Sequence, residues 1–322
     1  MTDLKKKICL YPKLILAPME GAGDLFFRKA ISIIGGFDFA IREFIRVPKN
    51  AHVKSLAKVY NSNEISPYPL TAQIMGSDPL LIAETARELE RLKAPHININ
   101  AGCPSNTVNA RGAGSFLLKT PMLLHKILKE TVNTVSIPVS VKMRSGYEDE
   151  SLFEDNLLAA QESGIQYLIL HPRTKSQGYR ENANWELIAK AKSLLKIPII
   201  GNGDINSVED ATLMLRQTNC DGIMIGRGIL SNPFLFNEIK AHLLNENFSP
   251  TWEAMKKFIE TYFIALQENN VPTETQINKT KQFMRYLITD LDHKKEILSS
   301  NTKDVKSFVS LCINLLKKNF FK

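Results

Sequence analysis

Short apolar and β-branched runs alternate, along the first two-thirds of the chain, with longer stretches of helical periodicity. Runs at 14–17, 39–45, 70–74, 97–100, 138–143, 167–170, 197–200 and 222–225 read as eight strands. Between them, 79–92, 121–131, 152–163, 185–195 and 208–217 read as helices. In the 79–92 segment Leu81, Ile82, Thr85, Leu89 and Leu92 fall mostly on one face, with Glu84, Arg87, Glu88 and Arg91 towards water. Asp78 and Pro79 supply an N-cap and a first-turn proline. Such alternation predicts parallel strands covered by helices, and eight strands favour closure into a TIM (β/α)8 barrel over an open doubly wound sheet. A dinucleotide-binding sheet needs a glycine fingerprint after its first strand, which Pro18-Met19-Glu20-Gly21-Ala22-Gly23 does not supply.

After Asn232-Pro233 the strand rhythm stops. Segments 234–244, 251–267, 279–291 and 305–316 read as helices, punctuated by Pro250 and Pro272. Trp252, Met255, Phe258, Ile259, Tyr262, Phe263 and Leu266 form a broad apolar stripe, read first as helix-packing core. The pattern divides the chain into a barrel domain, 1–246, and a smaller all-helical domain, 247–322.

Composition narrows the setting. A hydrophobic fraction of 44% with 23% charged residues fits a soluble globular protein. The cysteines at 9, 103, 220 and 312 are far apart, with no Cys-x-x-Cys pair, which suits a reducing compartment. Lys5, Lys6 and Lys7 open the chain, but Pro12 and Lys13 break the apolar run that a signal peptide needs, and no run of 18 apolar residues follows elsewhere. A cytoplasmic protein with no membrane partner is expected. The formal charge of +8 suits a polyanionic partner, although much of it is scattered lysine, as at Lys190, Lys192, Lys196, Lys317, Lys318 and Lys322. Charge balance alone leaves nucleic-acid binding open beside an ordinary solvated surface. Histidines 52, 96, 125, 242 and 293 make no ligand-spaced cluster with His171 or Cys103, so no metal site is expected. Nothing demands a dimer, and a monomer is expected.

Residues just after the strands of such a barrel share one rim. Here they are Pro18, Met19 and Glu20; Glu43 and Arg46; Gln73; Asn100 and Cys103; Lys142 and Arg144; His171 and Arg173; Asn202, Gly203 and Asp204; and Gly226 and Arg227. Glycine-rich turns after the seventh and eighth strands are where this architecture often holds a phosphate, with Gly201 and Gly203 admitting an anion close to the backbone and Arg227 neutralising it. Gln73, Asn100, Lys142 and His171 around the centre suggest a flat, polar, phosphorylated cofactor. Each also has an ordinary structural reading: Gln73 as a strand cap, Lys142 in an ion pair, His171 as a satisfied core residue. Cys103, between Gly102 and Pro104, has two roles open: a nucleophile activated by a neighbouring cation, or a general acid that stays protonated until a carbanion-like centre forms beside it.

The motifs Ala17-Pro18-Met19-Glu20-Gly21, Gln73-Ile74-Met75-Gly76, Asn100-Ala101-Gly102-Cys103-Pro104, Val141-Lys142-Met143-Arg144, His171-Pro172-Arg173-Thr174, Asn202-Gly203-Asp204-Ile205 and Met224-Ile225-Gly226-Arg227-Gly228 occur in the order found in the tRNA-dihydrouridine synthase family, which the chain resembles. Glu20 with Arg42-Glu43-Phe44-Ile45-Arg46-Val47 looks most like the bacterial synthase C branch, which acts at position 16 of the D-loop. The resemblance implies an FMN enzyme that reduces selected tRNA uridines to 5,6-dihydrouridine with NADPH as electron donor. It implies that Pro18, Met19, Glu20, Gln73, Lys142, His171, Asn202, Gly203, Asp204, Gly226 and Arg227 hold FMN and that Cys103 protonates C5. It places Asn100 and Arg144 near flavin or uracil, and Glu43, Phe44, Ile45 and Arg173 with the tRNA substrate, which the helical domain helps to grip. The target base must leave its stack, and Tyr147, Phe44 and Tyr179 are stacking candidates, although ordinary packing ranks first for them.

Two positions depart from the family pattern. Pro172 stands where glycine is commoner, removing a backbone donor, and Ala101 follows Asn100. An FMN barrel of the dihydroorotate dehydrogenase kind is the enzymatic rival, but it does not account together for the helical tail, the positive balance and the motif series. A catalytically silent tRNA-binding factor would not require a thiol at a cofactor rim.

Overall fold

The computed structural model describes residues 13–320. The basic opening, Cys9 and Lys322 lie outside the described residues. The described chain forms two compact units: one holds the residues up to Pro18 and Phe37–Ile225, the other Met19–Gly36 and the residues from Gly226 onward.

The first unit is the expected barrel. Its strands are β1 (Lys13–Leu16), β2 (Phe39–Ile41), β3 (Ile45–Arg46), β4 (Leu70–Met75), β5 (Ile97–Ala101), β6 (Val139–Gly146), β7 (Tyr167–Thr174), β8 (Ile199–Asn202) and β9 (Gly222–Ile225). All pairings are parallel, and β1 pairs with both β2 and β9 while β2 pairs with β4, so eight strands close. The two-residue β3 adds to the end of β4. Helices α2 (Val53–Ala57), α3 (Pro79–Arg91), α4 (Asn106–Asn109), α5 (Pro121–Thr134), α6 (Phe153–Glu162), α7 (Glu186–Leu194) and α8 (Val208–Thr218) belong to this unit. Asp78 caps α3 as expected, accepting from the amides of Leu80 and Leu81.

Two irregularities bear on the site. The run 39–45, expected as one strand, is broken into β2 and β3. Ile41 pairs with Thr71 and Ile45 with Ile74, so 42–44 carry one residue more than the partner strand. The Arg42 amide still reaches Thr71 O at 3.2 Å, while its guanidinium donates to the carbonyls of Val59 and Glu43. The second lies between β6 and β7, where Arg144 pairs with His171 but Gly146 with Thr174. The extra residue falls around Pro172, which has no N–H to give to a ladder.

Inside the barrel, Ile15, Ala17, Ile41, Ile169, Ile200 and Met224 form one apolar cluster, with Phe39 and Tyr167 packed against it. A polar chain runs beside it. Asn100 donates to Gln73, Gln73 to Asn98 and Asn98 to Ser140, at 3.0, 2.7 and 2.7 Å. Ser140 shares a hydrogen bond with the Tyr167 phenol, which lies 3.1 Å from His96 Nδ1.

The second unit holds α1 (Leu25–Ile34), α9 (Arg227–Ser231), α10 (Leu235–Leu244), α11 (Trp252–Glu268), α12 (Thr273–Leu287), α13 (Leu291–Ser299) and α14 (Val305–Phe320). Helix α1 is not among the expected helices. Phe27 on it meets Phe258 and Phe283 edge-on at 6.3 and 6.1 Å, and Tyr262 stacks on Phe283 at 4.3 Å. Asp24 caps α1 and also takes an ion pair from Lys279 at 2.6 Å. The helix expected over 279–291 begins earlier and stops at Leu287, because Asp290 caps a new helix by accepting from His293 N. Where the apolar pattern divides the chain at 246/247, the compact units divide after Ile225, and Asn237 on α10 ties to Ile34 O of α1 at 3.2 Å.

Candidate active site

Closure of a parallel barrel brings the carboxyl ends of β4 to β8 to one rim, and that rim gathers the chemistry-bearing residues of the first unit. Asn100 pairs in register with Lys142, and Arg144 with His171. Cys103 follows β5 by two residues, and its thiol side packs with Phe44 against Met75, Val108 and Ala113. Phe44 reaches this cluster from the bulged 42–44 segment, with Glu43 and Ile45 beside it in sequence. Among the described residues Cys103, Cys220 and Cys312 are free thiols, and of these only Cys103 is not buried.

The amides and carbonyls of Gly102 and Cys103 are all hydrogen-bonded. Asn100 Oδ1 accepts from the amides of Gly102 and Cys103 at 3.0 and 2.9 Å. Arg144 Nε donates to Gly102 O at 3.0 Å, and its Nη1 donates to Thr174 O and Gly178 O at 2.9 and 3.1 Å. Arg144 is therefore a buried strut between two loops, with the Tyr179 ring 5.2 Å from its guanidinium carbon. The Cys103 carbonyl accepts from Ser115 and Asn109.

Around His171 the field is positive. Burial first, then the charges of Lys142, Arg144 and Arg173, hold its imidazole far below the usual range and hence neutral, with a weak opposing pull from the Asn202 backbone. Arg173 Nη1 donates to His171 Nε2 at 3.4 Å, which puts the ring proton on Nδ1. That Nδ1 is buried and makes no hydrogen bond of proper geometry. Gly203, at φ +127°, stands against it: a Cβ there would lie 3.1 Å from Nδ1 and 3.0 Å from Ala183 Cβ, so only glycine leaves the nitrogen its space. Arg173 is itself held by Glu181 O and by an ion pair with Asp204.

The Lys142 ammonium has no hydrogen bond or ion pair among the described residues. The residue is partly accessible to solvent, yet enough protein surrounds it that desolvation, and then the Arg144 charge, pull its ammonium down to about 7. Gln73 is completely buried, and Asn202 Nδ2 donates to Met224 O at 2.8 Å. Pro18 follows β1 in this unit. Met19, Glu20, Gly226 and Arg227 belong to the second unit, where Glu20 and Arg227 are exposed. Among the described residues no cluster of three or more histidines, cysteines and carboxylates suits a metal, and no helix is long and apolar enough to cross a membrane.

The residues that the strand-end rule does not reach are Asn109, Gly114 and Ser115. The turn signal Gly112-Ala113-Gly114-Ser115 marks the last two in the sequence, but nothing there points to Asn109 or says which carbonyl they serve.

The profile of the dihydrouridine synthase (Dus) family matches residues 15–318. The tRNA-dihydrouridine(16) synthase of Pseudomonas syringae pv. tomato is 37% identical over 262 residues, covering 79% of this chain and 83% of its own. That of Shewanella oneidensis is 34% identical, covering 85% and 88%. Among solved structures, histamine dehydrogenase from Rhizobium sp. 4-9 superposes with a TM-score of 0.55 at 12% identity, over 78% of this chain and 49% of that one. The old yellow enzyme homologue from Zymomonas mobilis gives 0.51 at 12%, over 75% and 91%, and these two likenesses speak to the fold alone. The match of the family profile over nearly the whole chain, with relatives above 30% identity, shows that the chain belongs to the dihydrouridine synthase family.

Proposed function

We propose that this protein is a flavin-dependent oxidoreductase that reduces the C5=C6 bond of a tRNA D-loop uridine, at position 16, using FMN and NADPH. The observation that carries the reading is a fixed cysteine on the same barrel rim as Lys142, Arg144, Arg173 and a neutral His171. The buried Nδ1–H of His171 makes no well-formed hydrogen bond and feels only the weak pull of the Asn202 backbone, Gly203 packs where a Cβ would crowd it, and the positive surroundings favour an anionic, electron-rich ligand. Those features fit FMN.

In this reading Lys142, His171, Asn202, Gly203 and Asp204, with Pro18 and Gln73, hold the cofactor. Gln73 has one N–H and one lone pair left beyond its bonds to Asn98 and Asn100. Met19, Glu20, Gly226 and Arg227 join them on the family resemblance. When bound, FMN supplies to C6 of the base a hydride drawn from NADPH. Cys103 gives its thiol proton to C5, and the thiolate recovers a proton from solvent, so uridine gains one hydride and one proton while NADPH becomes NADP⁺. Lys142 and Arg144 stabilise negative charge developing at the rim. Asn100 and Arg144 hold the Cys103 segment, while Glu43, Phe44, Ile45 and Arg173 border the base or tRNA. The helical domain and the positive balance serve tRNA phosphates, so affinity falls with salt. The specificity for position 16 draws on the printed names of the relatives and on the Glu20 and 42–47 motifs.

Purified protein should be yellow. With NADPH and unmodified tRNA it should form dihydrouridine at position 16. Cys103→Ala should keep flavin absorbance and lose about 10²–10⁴ in turnover, the range for removing a general acid. Failure to take up FMN would overturn the reading, and dihydrouridine at 17 or 20 alone would overturn the site choice.

A further inference from the structure

Asn109 and Ser115 are both buried, and both spend their polar atoms on the Cys103 carbonyl. Ser115 N donates to Cys103 O at 3.1 Å, and Asn109 Nδ2 donates to it at 3.2 Å and to Ser105 O at 2.7 Å. Ser115 Oγ lies 2.9 Å from both Cys103 O and Asn109 Oδ1, so its single proton is shared between two acceptors. Gly114, at φ +65°, completes the wrap: a Cβ there would stand 2.9 Å from Cys103 O and 3.1 Å from Cys103 Cβ. Three donors on one carbonyl exceed what satisfying a buried backbone group requires, since one hydrogen bond would do.

The geometry points to Asn109 and Ser115, seated by Gly114, as positioning residues that fix the backbone from which the Cys103 thiol projects. With Asn100 holding the amide and these two the carbonyl, the sulfur keeps only rotation about Cα–Cβ. A proton donor works within a fraction of an ångström of its target, so this constraint bears directly on rate. It also keeps the sulfur in the field of Lys142 and Arg144, both of which interact electrostatically with Cys103. The other side of the residue is apolar, lined by Phe44, Met75, Val108 and Ala113. A sulfur released from the clamp leaves the two cations, which disfavours the thiolate. The catalytic consequence rests on the proposed role of Cys103 as proton donor; the effect on the thiol does not.

The test uses the full-length, FMN-loaded protein and its Ser115→Ala and Asn109→Ala variants, with Ser115→Thr as the conservative rescue. Iodoacetamide alkylation of the Cys103 peptide is followed by mass spectrometry against pH, alongside kcat and KM on unmodified tRNA, flavin absorbance and thermal melting. Ser115→Ala should move the alkylation midpoint up by about half a pH unit. It should lower kcat about tenfold with KM within about twofold, and Ser115→Thr should restore both. Asn109→Ala should move both readouts the same way. An unmoved alkylation midpoint in the folded variants overturns the proposal, and so does a fall in melting temperature alone. If wild type forms no dihydrouridine, the functional reading fails while the alkylation profile still decides whether the clamp positions the thiol.

Discussion

The two ends of the barrel each bury a histidine, and the neighbours of each ring separate a structural site from a chemical one. His96 lies just before β5, beside Phe39 and Tyr167 at the amino-terminal starts of their strands, with Tyr167 edge-on at 4.9 Å. His171 lies near the carboxyl end of β7. Both rings are about equally covered, each leaves one nitrogen without a hydrogen-bond partner, and burial lowers both. Around His96 nothing but desolvation acts. Around His171 three cations act as well, and a glycine stands where any side chain would fill the space. Burial is thus a poor marker of function; a buried imidazole with several cations converging on it is a better one.

The comparison breaks most sharply in acid. The His96 imidazole is held at about 3 against an ordinary 6.5, so between those values the unfolded chain binds the extra proton. Stability is full above pH 6.5 and drains as pH falls towards 3, by on the order of 4 kcal/mol from this residue. His96→Leu should flatten that part of a urea-midpoint profile between pH 6.5 and 4 and leave FMN affinity alone. His171→Leu should do the opposite where it matters, weakening FMN about 10- to 100-fold through one lost hydrogen bond to a charged or strongly polar acceptor. Equal effects of the two substitutions on FMN affinity would erase the distinction.

The sequence pattern reaches the barrel because each strand centres on apolar or β-branched residues, and β9 falls at its expected bounds. It reaches less far where a single residue decides. The break at 42–44 is a one-residue excess in the register against β4, and the stop at Leu287 rests on Asp290 capping forwards rather than sitting on a helix face. Placement of 19–36 with the helical unit is a matter of Phe27 meeting Phe258 and Phe283, a long-range pairing that periodicity does not encode. In the site, strand-end position named Asn100, Lys142, Arg144 and His171, which lie in register on adjacent strands, whereas Met19, Glu20, Gly226 and Arg227 fall in the other unit. It did not reveal that Arg144 spends its guanidinium on three carbonyls, or that Asn109 and Ser115 serve Cys103, since partners across a loop follow from folded geometry.

Lys142 sharpens the comparison from the charged side. With its ammonium at about 7 in the folded protein and 10.5 unfolded, the unfolded chain holds the extra proton between those values. Stability of the FMN-free protein should therefore rise from pH 7 towards 10.5 and be lowest, for this group, below 7. Lys142→Met should remove that rise and make the FMN-free protein more resistant to urea at pH 7, while weakening FMN binding. A variant no more stable than wild type at pH 7 would mean that the ammonium reaches enough water to escape the cost.

The smallest effect expected is the most informative about whether the two ends communicate. The polar chain from Asn100 through Gln73, Asn98 and Ser140 reaches Tyr167 and His96, so the Cys103 amide and the barrel floor are joined by consecutive hydrogen bonds. Tyr167→Phe cuts the last of these and leaves His96 with neither nitrogen paired, at a cost of about 1–2 kcal/mol in unfolding free energy. Its effect on Cys103 should be nil, because Gln73, Asn98 and Ser140 each sit on a different, paired strand whose backbone fixes them independently of the phenol. The check is the Cys103 alkylation profile of Tyr167→Phe set against its urea midpoint. A lower midpoint with an unmoved profile leaves the floor structural, whereas a displaced profile would make the interior amides a mechanical link to the thiol, acting through Asn100, which alone of the chain touches the Cys103 segment.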